Sequence, residues 1–291
     1  MRMKPGLNDA FLSNALGEAV TIRESHAATG GSINYCEILT LGNHRKVFVK
    51  SHVVRTIHGM YKAEFLALNL MAEQGVLKIP KPLYFDENTL ILECYVEGKP
   101  AHDWQEQMGR GLALIHQATQ QEKFGFDVGN FLGTTPQINT WQDDWLNFWR
   151  DQRLGYQLDL FKAHATSDDP LLETGYDLLM KLDGILGCDK EPAVLLHGDL
   201  WSGNAAANEK EEPVIFDPAS YYGHREAEFG MMRLFGGFGP ACEAAYQEVW
   251  PFQSGFDRRI DVYRLYHQLN HLNLFGSSYY NGCLDTIKSL L

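Results

Sequence analysis

The spacing of apolar and polar positions changes character near residue 99. Before that point, runs rich in Val, Ile, Leu, Tyr and Phe predict strands over 34–40, 46–52, 82–86 and 89–95. A helix interrupts them over about 60–73, where Tyr61, Phe65, Leu68 and Met71 recur at helical spacing. The first twenty residues read as an amphipathic helix rather than a signal peptide, because Asn8 and Asp9 interrupt any apolar run. Beyond Gly98-Lys99-Pro100 the spacing predicts helices over 102–120, 139–164, 168–186, 225–235, 239–250 and 257–275. Two apolar runs, 193–197 and 213–216, stand apart, each feeding directly into acidic and turn residues. The order implies an α+β chain in two lobes, a strand-rich lobe over 1–98 and a larger helical lobe over 99–291.

Composition narrows the function. The chain has 291 residues, 45% apolar and 21% charged, which suits a folded protein with a sizeable core. A net charge of −12 argues against a protein whose task is to grip nucleic acid or an anionic membrane, though a local basic pocket stays open. No stretch approaches the roughly 18 apolar residues of a membrane span. Cys36, Cys94, Cys188, Cys242 and Cys283 are odd in number, scattered and without a C-x-x-C pair, the usage of reduced cytoplasmic thiols.

The most informative string is His197-Gly198-Asp199-Leu200-Trp201-Ser202-Gly203-Asn204, which follows the apolar run Leu195-Leu196. A second apolar run, Val214-Ile215-Phe216, delivers Asp217 at its tip. Two strand-end carboxylates and an amide oxygen can converge on a hard cation such as Mg²⁺. Phosphoryl transfer needs such a cluster, together with a group that orients the attacking hydroxyl. The spacing H-G-D-x-x-x-x-N followed by a strand-borne Asp parallels the kinase catalytic loop and its metal-binding Asp. Two ordinary turns would use the same residue types, but not the whole string between two buried strands.

A kinase needs further parts upstream. Gly30-Gly31-Ser32 precedes a strand and can cover phosphates with backbone amides, although Gly-Gly-Ser is also an ordinary turn. Lys50 ends the next strand, within reach of ATP phosphates. Glu64 projects within the apolar stripe of the 60–73 helix; on the helix alone it reads as an edge residue reaching water, and with Lys50 opposite it reads as that lysine's partner. At the end of the 89–95 strand, the run Glu93-Cys94-Tyr95 can offer the Glu93 carbonyl and the Tyr95 amide to an adenine edge.

These strings resemble the fructosamine kinase (ketosamine kinase) family, a branch of the protein-kinase-like fold related to aminoglycoside and choline kinases. The resemblance is carried by Trp201 within the His197–Asn204 string, by Phe216-Asp217-Pro218-Ala219, by Gly223-His224-Arg225-Glu226-Ala227-Glu228, and by the segment from Gln137 to Trp145. It implies a bilobal fold with a small antiparallel-sheet lobe holding one key helix. It implies ATP-dependent phosphorylation of O3 on a ketoamine, a free metabolite or a glycated lysine, after which the unstable adduct sheds the sugar and frees the amine. Carried onto these residues, Asp199 orients the hydroxyl or accepts its proton, Asn204 and Asp217 hold Mg²⁺, and Lys50, positioned by Glu64, clamps ATP phosphates. His197 is expected to brace the loop. Some relatives carry Cys in the glycine-rich loop where this chain has Ser32, and Cys36 reads as a strand residue.

Trp201 can face the sugar and its amine, or pack the loop as a core residue. Glu226 and Glu228 can meet an amine or start a helix, and the structural role is favoured. His267 and His271, four apart on a helix, are read as core or surface histidines rather than zinc ligands, because Gln268 stands where a zinc protease needs Glu. The cluster Trp141, Trp145, Phe148 and Trp149 is read as helix packing, with a place at the mouth of the substrate cleft as the functional alternative. A kinase for an aminoglycoside or amino alcohol, and a non-catalytic pseudokinase, are the competing functions. No nucleic-acid or membrane partner is expected, and the chain is expected to be cytoplasmic, as a monomer or weak homodimer.

Overall fold

The computed structural model describes residues 7–28, 34–52, 56–187 and 191–291. Gly30, Gly31 and Ser32 lie outside them.

A short helix, α1 (Asp9–Leu16), is capped by the Asn8 side chain, which accepts from the Phe11 amide, and ends at Gly17 in the left-handed region. Five antiparallel strands follow: β1 (Ile22–Ala28), β2 (Asn34–Leu41), β3 (Lys46–His52), β4 (Pro82–Phe85) and β5 (Thr89–Glu93), in spatial order β1-β2-β3-β5-β4. β1 escapes a reading of the sequence because it is an edge strand in which no residue is fully buried, so its side chains need no apolar alternation. Between β3 and β4, α2 (Met60–Glu73) buries Tyr61, Ala67, Leu68 and Met71, and with them Glu64. The register sets Cys36 and Leu90 on either side of Lys50, so the lysine sits in the middle of the sheet.

The last sheet strand stops at Glu93, short of the expected 95. Residues 94–103 then cross to the helical part, fastened by the Gly98 amide on the Ala207 carbonyl (2.9 Å) and the Glu209 amide on the Val96 carbonyl (2.8 Å). A side chain at Gly98 would run into the Asn208 backbone, so only glycine fits here.

The helical part comprises α3 (Trp104–Ala118), α4 (Trp145–Trp149), α5 (Gly155–Lys162), α6 (Pro170–Lys181), α7 (Asp183–Leu186), α8 (Glu228–Phe235), α9 (Pro240–Val249), α10 (Phe256–Phe275) and α11 (Tyr280–Leu290). Three two-stranded ribbons lie among them: β6 (Asn130–Leu132) with β7 (Thr135–Gln137), β8 (Val194–Leu196) with β11 (Tyr221–Gly223), and β9 (Ala205–Ala207) with β10 (Pro213–Ile215). The single helix expected over 139–164 is not formed. It is α4, a π-helical turn over Arg150–Leu154, and α5. The wider turn buries Gln152, Arg153 and Leu154 in succession. The 168–186 helix likewise divides into α6 and α7. The main core joins these helices to β8, with Phe148, Trp149, Phe229, Tyr246, Tyr263 and Tyr266 fully buried.

Candidate active site

Strand β8 is apolar throughout because it is buried throughout, and it ends at His197-Gly198-Asp199. Gly198 has φ +81°, and a Cβ there would lie 2.3 Å from the Ala219 carbonyl oxygen, so no other residue allows the chain to turn against the neighbouring segment. His197 Nε2–H donates to the Phe216 carbonyl (2.9 Å), while Nδ1 accepts from the Asp199 amide (3.3 Å). Both ring nitrogens are therefore spent on backbone. Burial lowers the pKa of this imidazole, so it stays neutral and braces the loop, as expected.

Glu228, the first residue of α8, accepts from the amides of His197 (2.6 Å) and Gly198 (2.9 Å). Burial pushes its carboxyl up, but the neighbouring imidazoles of His116 and His197 and the hydrogen bond from the Gly198 amide outweigh burial and hold it below the ordinary range. Glu226 forms a bidentate pair with Arg259 at 2.6 and 2.8 Å. Both glutamates are fully buried and structural.

Asp199 and Asn204 face each other across one short turn. Asn204 Nδ2 donates to the Asp199 carbonyl (2.8 Å) and to its Oδ2 (3.1 Å), which leaves the amide oxygen to offer elsewhere. Asp199 Oδ1 is buried and makes no hydrogen bond among the described residues. Burial, reinforced by the nearby Asp217 charge, raises the Asp199 pKa well above the usual carboxylate range. Asp217 itself has φ +59°, an uncommon conformation for a residue with a side chain and one that aspartate tolerates better than most. The Asp217 carboxylate meets Lys50 Nζ, which also donates to Glu64 at 2.6 Å. Of the two readings of Glu64, the one that pairs it with Lys50 is the one seen, since it is 9% exposed and held by the lysine. Burial pushes the Glu64 carboxyl up to about 7 against the pull of Lys50. Burial acts to lower the Lys50 pKa, but Asp217 and Glu64 overcome it and raise the pKa, so the ammonium keeps its charge.

A polar network that sequence reading missed holds the segment after Asp217. Asn130 Nδ2 donates to the Ser220 carbonyl (2.7 Å), and Gln137 Nε2 donates to the Ala219 carbonyl (3.0 Å) and to Asn130 Oδ1 (2.7 Å). Asn139 joins the same oxygen, and Arg153, from the π turn, donates to Asn139 Oδ1 (2.7 Å). The only signal in the sequence was the family-like string beginning at Gln137.

A cavity of ≈ 860 Å³ gathers Lys50, Glu64, Asp199, Trp201, Asn204 and Asp217 on its lining, along with Tyr95, Phe235 and His271. A smaller one, ≈ 100 Å³, is lined by Phe48, Leu92, Glu93, Cys94, Tyr95 and Phe216. Trp201 is half-buried, its ring 5.8 Å from that of Phe235, and it forms part of the cavity wall rather than of the core. The tryptophan cluster does not line this cavity: Trp145, Phe148 and Trp149 are buried in the core, and Trp141 lies in a separate groove beside Asp127. Phe235 and His271, which do line it, went unread as site residues because their partners are far away in sequence.

A five-stranded sheet whose lysine pairs with a glutamate on α2, with a helical part carrying an Asp-x-x-x-x-Asn loop and a strand-end Asp, defines a phosphotransferase of the protein-kinase-like fold. Comparison with known proteins makes the assignment specific. The model of the fructosamine kinase family matches residues 7–291. A chloroplastic protein-ribulosamine 3-kinase of Arabidopsis thaliana is 38% identical over 284 residues, 94% of this chain and 85% of that protein. The crystal structure of a fructosamine-3-kinase candidate from Thermobifida fusca superposes with a TM-score of 0.88 at 28% identity, covering 97% of each chain. The aminoglycoside phosphotransferase APH(4)-Ia shares the fold alone, with a TM-score of 0.61 at 15% identity over 97% of this chain and 96% of its own. The chain belongs to the fructosamine kinase family.

Proposed function

We propose that the protein is an ATP-dependent kinase that phosphorylates O3 of ketoamines, fructosamines or ribulosamines, and so initiates deglycation of amines or protein lysines. The observation that carries this reading is the convergence of Lys50–Glu64, Asp199, Asn204 and Asp217 on one cavity. A match to a protein-ribulosamine 3-kinase over nearly the whole chain supports the acceptor class.

The donor set fits Mg²⁺. It consists of hard oxygens, the amide oxygen of Asn204 and the carboxylate of Asp217, beside a buried Asp199 oxygen with no hydrogen bond among the described residues. Mg²⁺ bound there would neutralise charge on the transferring phosphoryl group. Lys50, now bridging Glu64 and Asp217, would turn its ammonium to the phosphates of ATP while Glu64 holds it in place. Asp199 would accept the O3 proton as the O3–phosphorus bond forms and the bond from the γ-phosphorus to the β,γ-bridging oxygen breaks. Its raised pKa makes it a better base than an exposed aspartate. The small cavity beside Glu93, Cys94 and Tyr95 suits an adenine ring between Phe48, Leu92 and Phe216, with the Glu93 carbonyl and Tyr95 amide at its edge. Gly30, Gly31 and Ser32, outside the described residues, would cover the phosphates. Trp201 would face the sugar.

The reading also divides the chain into a nucleotide lobe over 1–98 and an acceptor lobe over 99–291. It takes the chain to be cytoplasmic, on the strength of its odd, scattered cysteines, and a monomer or weak homodimer. Among the described residues, no helix is long and apolar enough to cross a membrane.

The deciding experiment measures Mg·ATP-dependent ADP release with fructoselysine, ribulose-lysine, kanamycin and choline, using Asp199→Asn as the blank. Turnover of a ketoamine above the blank is the expected result. A signal on kanamycin or choline alone would make the protein an aminoglycoside or amino-alcohol kinase, and nucleotide binding without turnover would make it a binding module.

A further inference from the structure

The lining of the large cavity falls into two chemically distinct sets. Its carboxylates, Glu64, Glu97, Asp199 and Asp217, come from α2, the 94–103 crossing and the two strand-end loops. The part of the wall built by α8 and α10 beside Trp201 carries no acid among the described lining residues. It offers the rings of Trp201, Phe235 and Phe275, and two polar side chains, Asn270 and His271. Asn270 is already committed: its Oδ1 accepts from Gln157 (3.1 Å) and its Nδ2 donates to the Leu132 carbonyl (3.3 Å).

His271 is different. Its ring is held between aromatic neighbours, 4.7 Å from Phe235, 5.3 Å from Tyr279 and 5.4 Å from Phe275 between centroids. Nδ1 lies 2.8 Å from the carbonyl of His267, one turn back on α10, and a carbonyl only accepts, so the Nδ1 atom carries a proton. Burial lowers the imidazole pKa despite that bond, which leaves the ring neutral near pH 7. A neutral imidazole protonated at Nδ1 has an acceptor lone pair on Nε2. Aromatic faces with one neutral acceptor and no carboxylate recognise an alkylammonium that still carries an N–H: the faces meet the charge and the acceptor takes the proton donor. A secondary ammonium is the group that separates a ketoamine from a free sugar.

We infer that His271 determines acceptor specificity, its Nε2 accepting a hydrogen bond from the protonated secondary amine of the ketoamine against the Trp201 and Phe235 rings. This rests on the ketoamine-kinase reading above. It assigns selection of the nitrogen to a residue that touches neither the phosphates nor the transferring group.

The test compares fructoselysine with its 1-O-alkyl fructose isostere, in which an ether oxygen replaces the amine, by initial rates at saturating Mg·ATP. His271→Phe keeps a ring and removes the acceptor. It is expected to raise KM for fructoselysine about tenfold or more, the worth of one charge-assisted hydrogen bond, while leaving KM for the ether and KM for ATP unchanged. His271→Gln, which restores an acceptor, is expected to recover part of the preference. His271→Ala gives the same readout should the phenyl ring not fit. Preference for the amine that survives loss of the acceptor, or an equal loss on both substrates, overturns the assignment. A wild-type protein inactive on both fructoselysine and ribulose-lysine overturns the ketoamine reading together with this assignment, and where only ribulose-lysine is turned over the same comparison is made with ribulose-lysine and its ether. A wild-type protein active on either ketoamine, with preference intact in His271→Phe, removes only the role given to His271.

Discussion

Asp199 illustrates how a residue useful for chemistry can weaken the fold that holds it. One oxygen of its carboxyl is buried and lacks a hydrogen bond among the described residues, and burial with Asp217 raises its pKa. Between the ordinary value and the raised one, the folded protein holds a proton that the unfolded chain has released. The stability this contributes is fully present below the unfolded pKa and is lost as pH rises through the folded pKa. At pH 7 this carboxyl is therefore a net cost, which Asn avoids. Asp199→Asn is expected to lower kcat by about 10²–10⁴-fold. The same variant is expected to raise the melting temperature at pH 7 by roughly 2 °C, what ~1 kcal/mol is worth in a chain of this size. The gain should shrink as pH falls toward about 4, the ordinary aspartate range. Melting curves across that range check it; a gain independent of pH would locate the effect elsewhere. Residue identities alone placed Lys50, Asp199, Asn204 and Asp217 correctly as neighbours in a kinase pattern, because motif spacing encodes them. The burial of Glu64 was not legible from its helix, since a carboxylate at the edge of an apolar stripe is tolerable either in water or against a cation, and only the sheet supplies the cation.

Among the elements, close approach rather than propensity decides which glycines matter. In α3, a Cβ on Gly109 would lie 2.0 Å from the Cys242 carbonyl oxygen and 3.1 Å from the Tyr246 nitrogen, both backbone atoms of α9. Neither can move without separating the helices. Gly184 in α7 has nothing within 4 Å of the same point. Gly109→Ala is therefore expected to destabilise the protein by about 1–3 kcal/mol or more. Gly184→Ala should instead stabilise it by up to ~1 kcal/mol through helix propensity. Urea unfolding of the two variants provides the comparison, and equal effects would show that α3 and α9 can separate at little cost. Strands β3 and β5 and helices α3, α9 and α10 were legible because their apolar period continues for several turns or residues. The edge strand β1, the ribbon strands other than β8 and β10, the π turn and α11 were not, since short or solvent-facing elements need little apolar patterning and long-range contacts hold them.

For the whole molecule, the −12 net charge acts on two substrates of opposite sign. The field of an acidic protein repels Mg·ATP and attracts a protonated ketoamine, and both effects are screened by salt. Raising ionic strength from about 20 to about 150 mM at constant free Mg²⁺ is expected to lower KM for ATP and raise KM for fructoselysine, each by roughly twofold. Initial rates measure both, and parallel shifts would show that local charges at the cavity dominate the global field.

The sequence by itself determined the order of elements that carry chemistry, the α+β class and the family, because these reside in local period and in strings of adjacent residues. Only the tertiary structure decided which groups face which. It set Glu64 and Asp217 on either side of Lys50, brought Gln137 and Arg153 behind the segment after Asp217, and put Phe235 and His271 on the wall beside Trp201. Such pairings join residues far apart in the chain, and the free energy that selects them, burial of apolar surface with most buried charges and amides matched, belongs to the packed molecule rather than to any one segment.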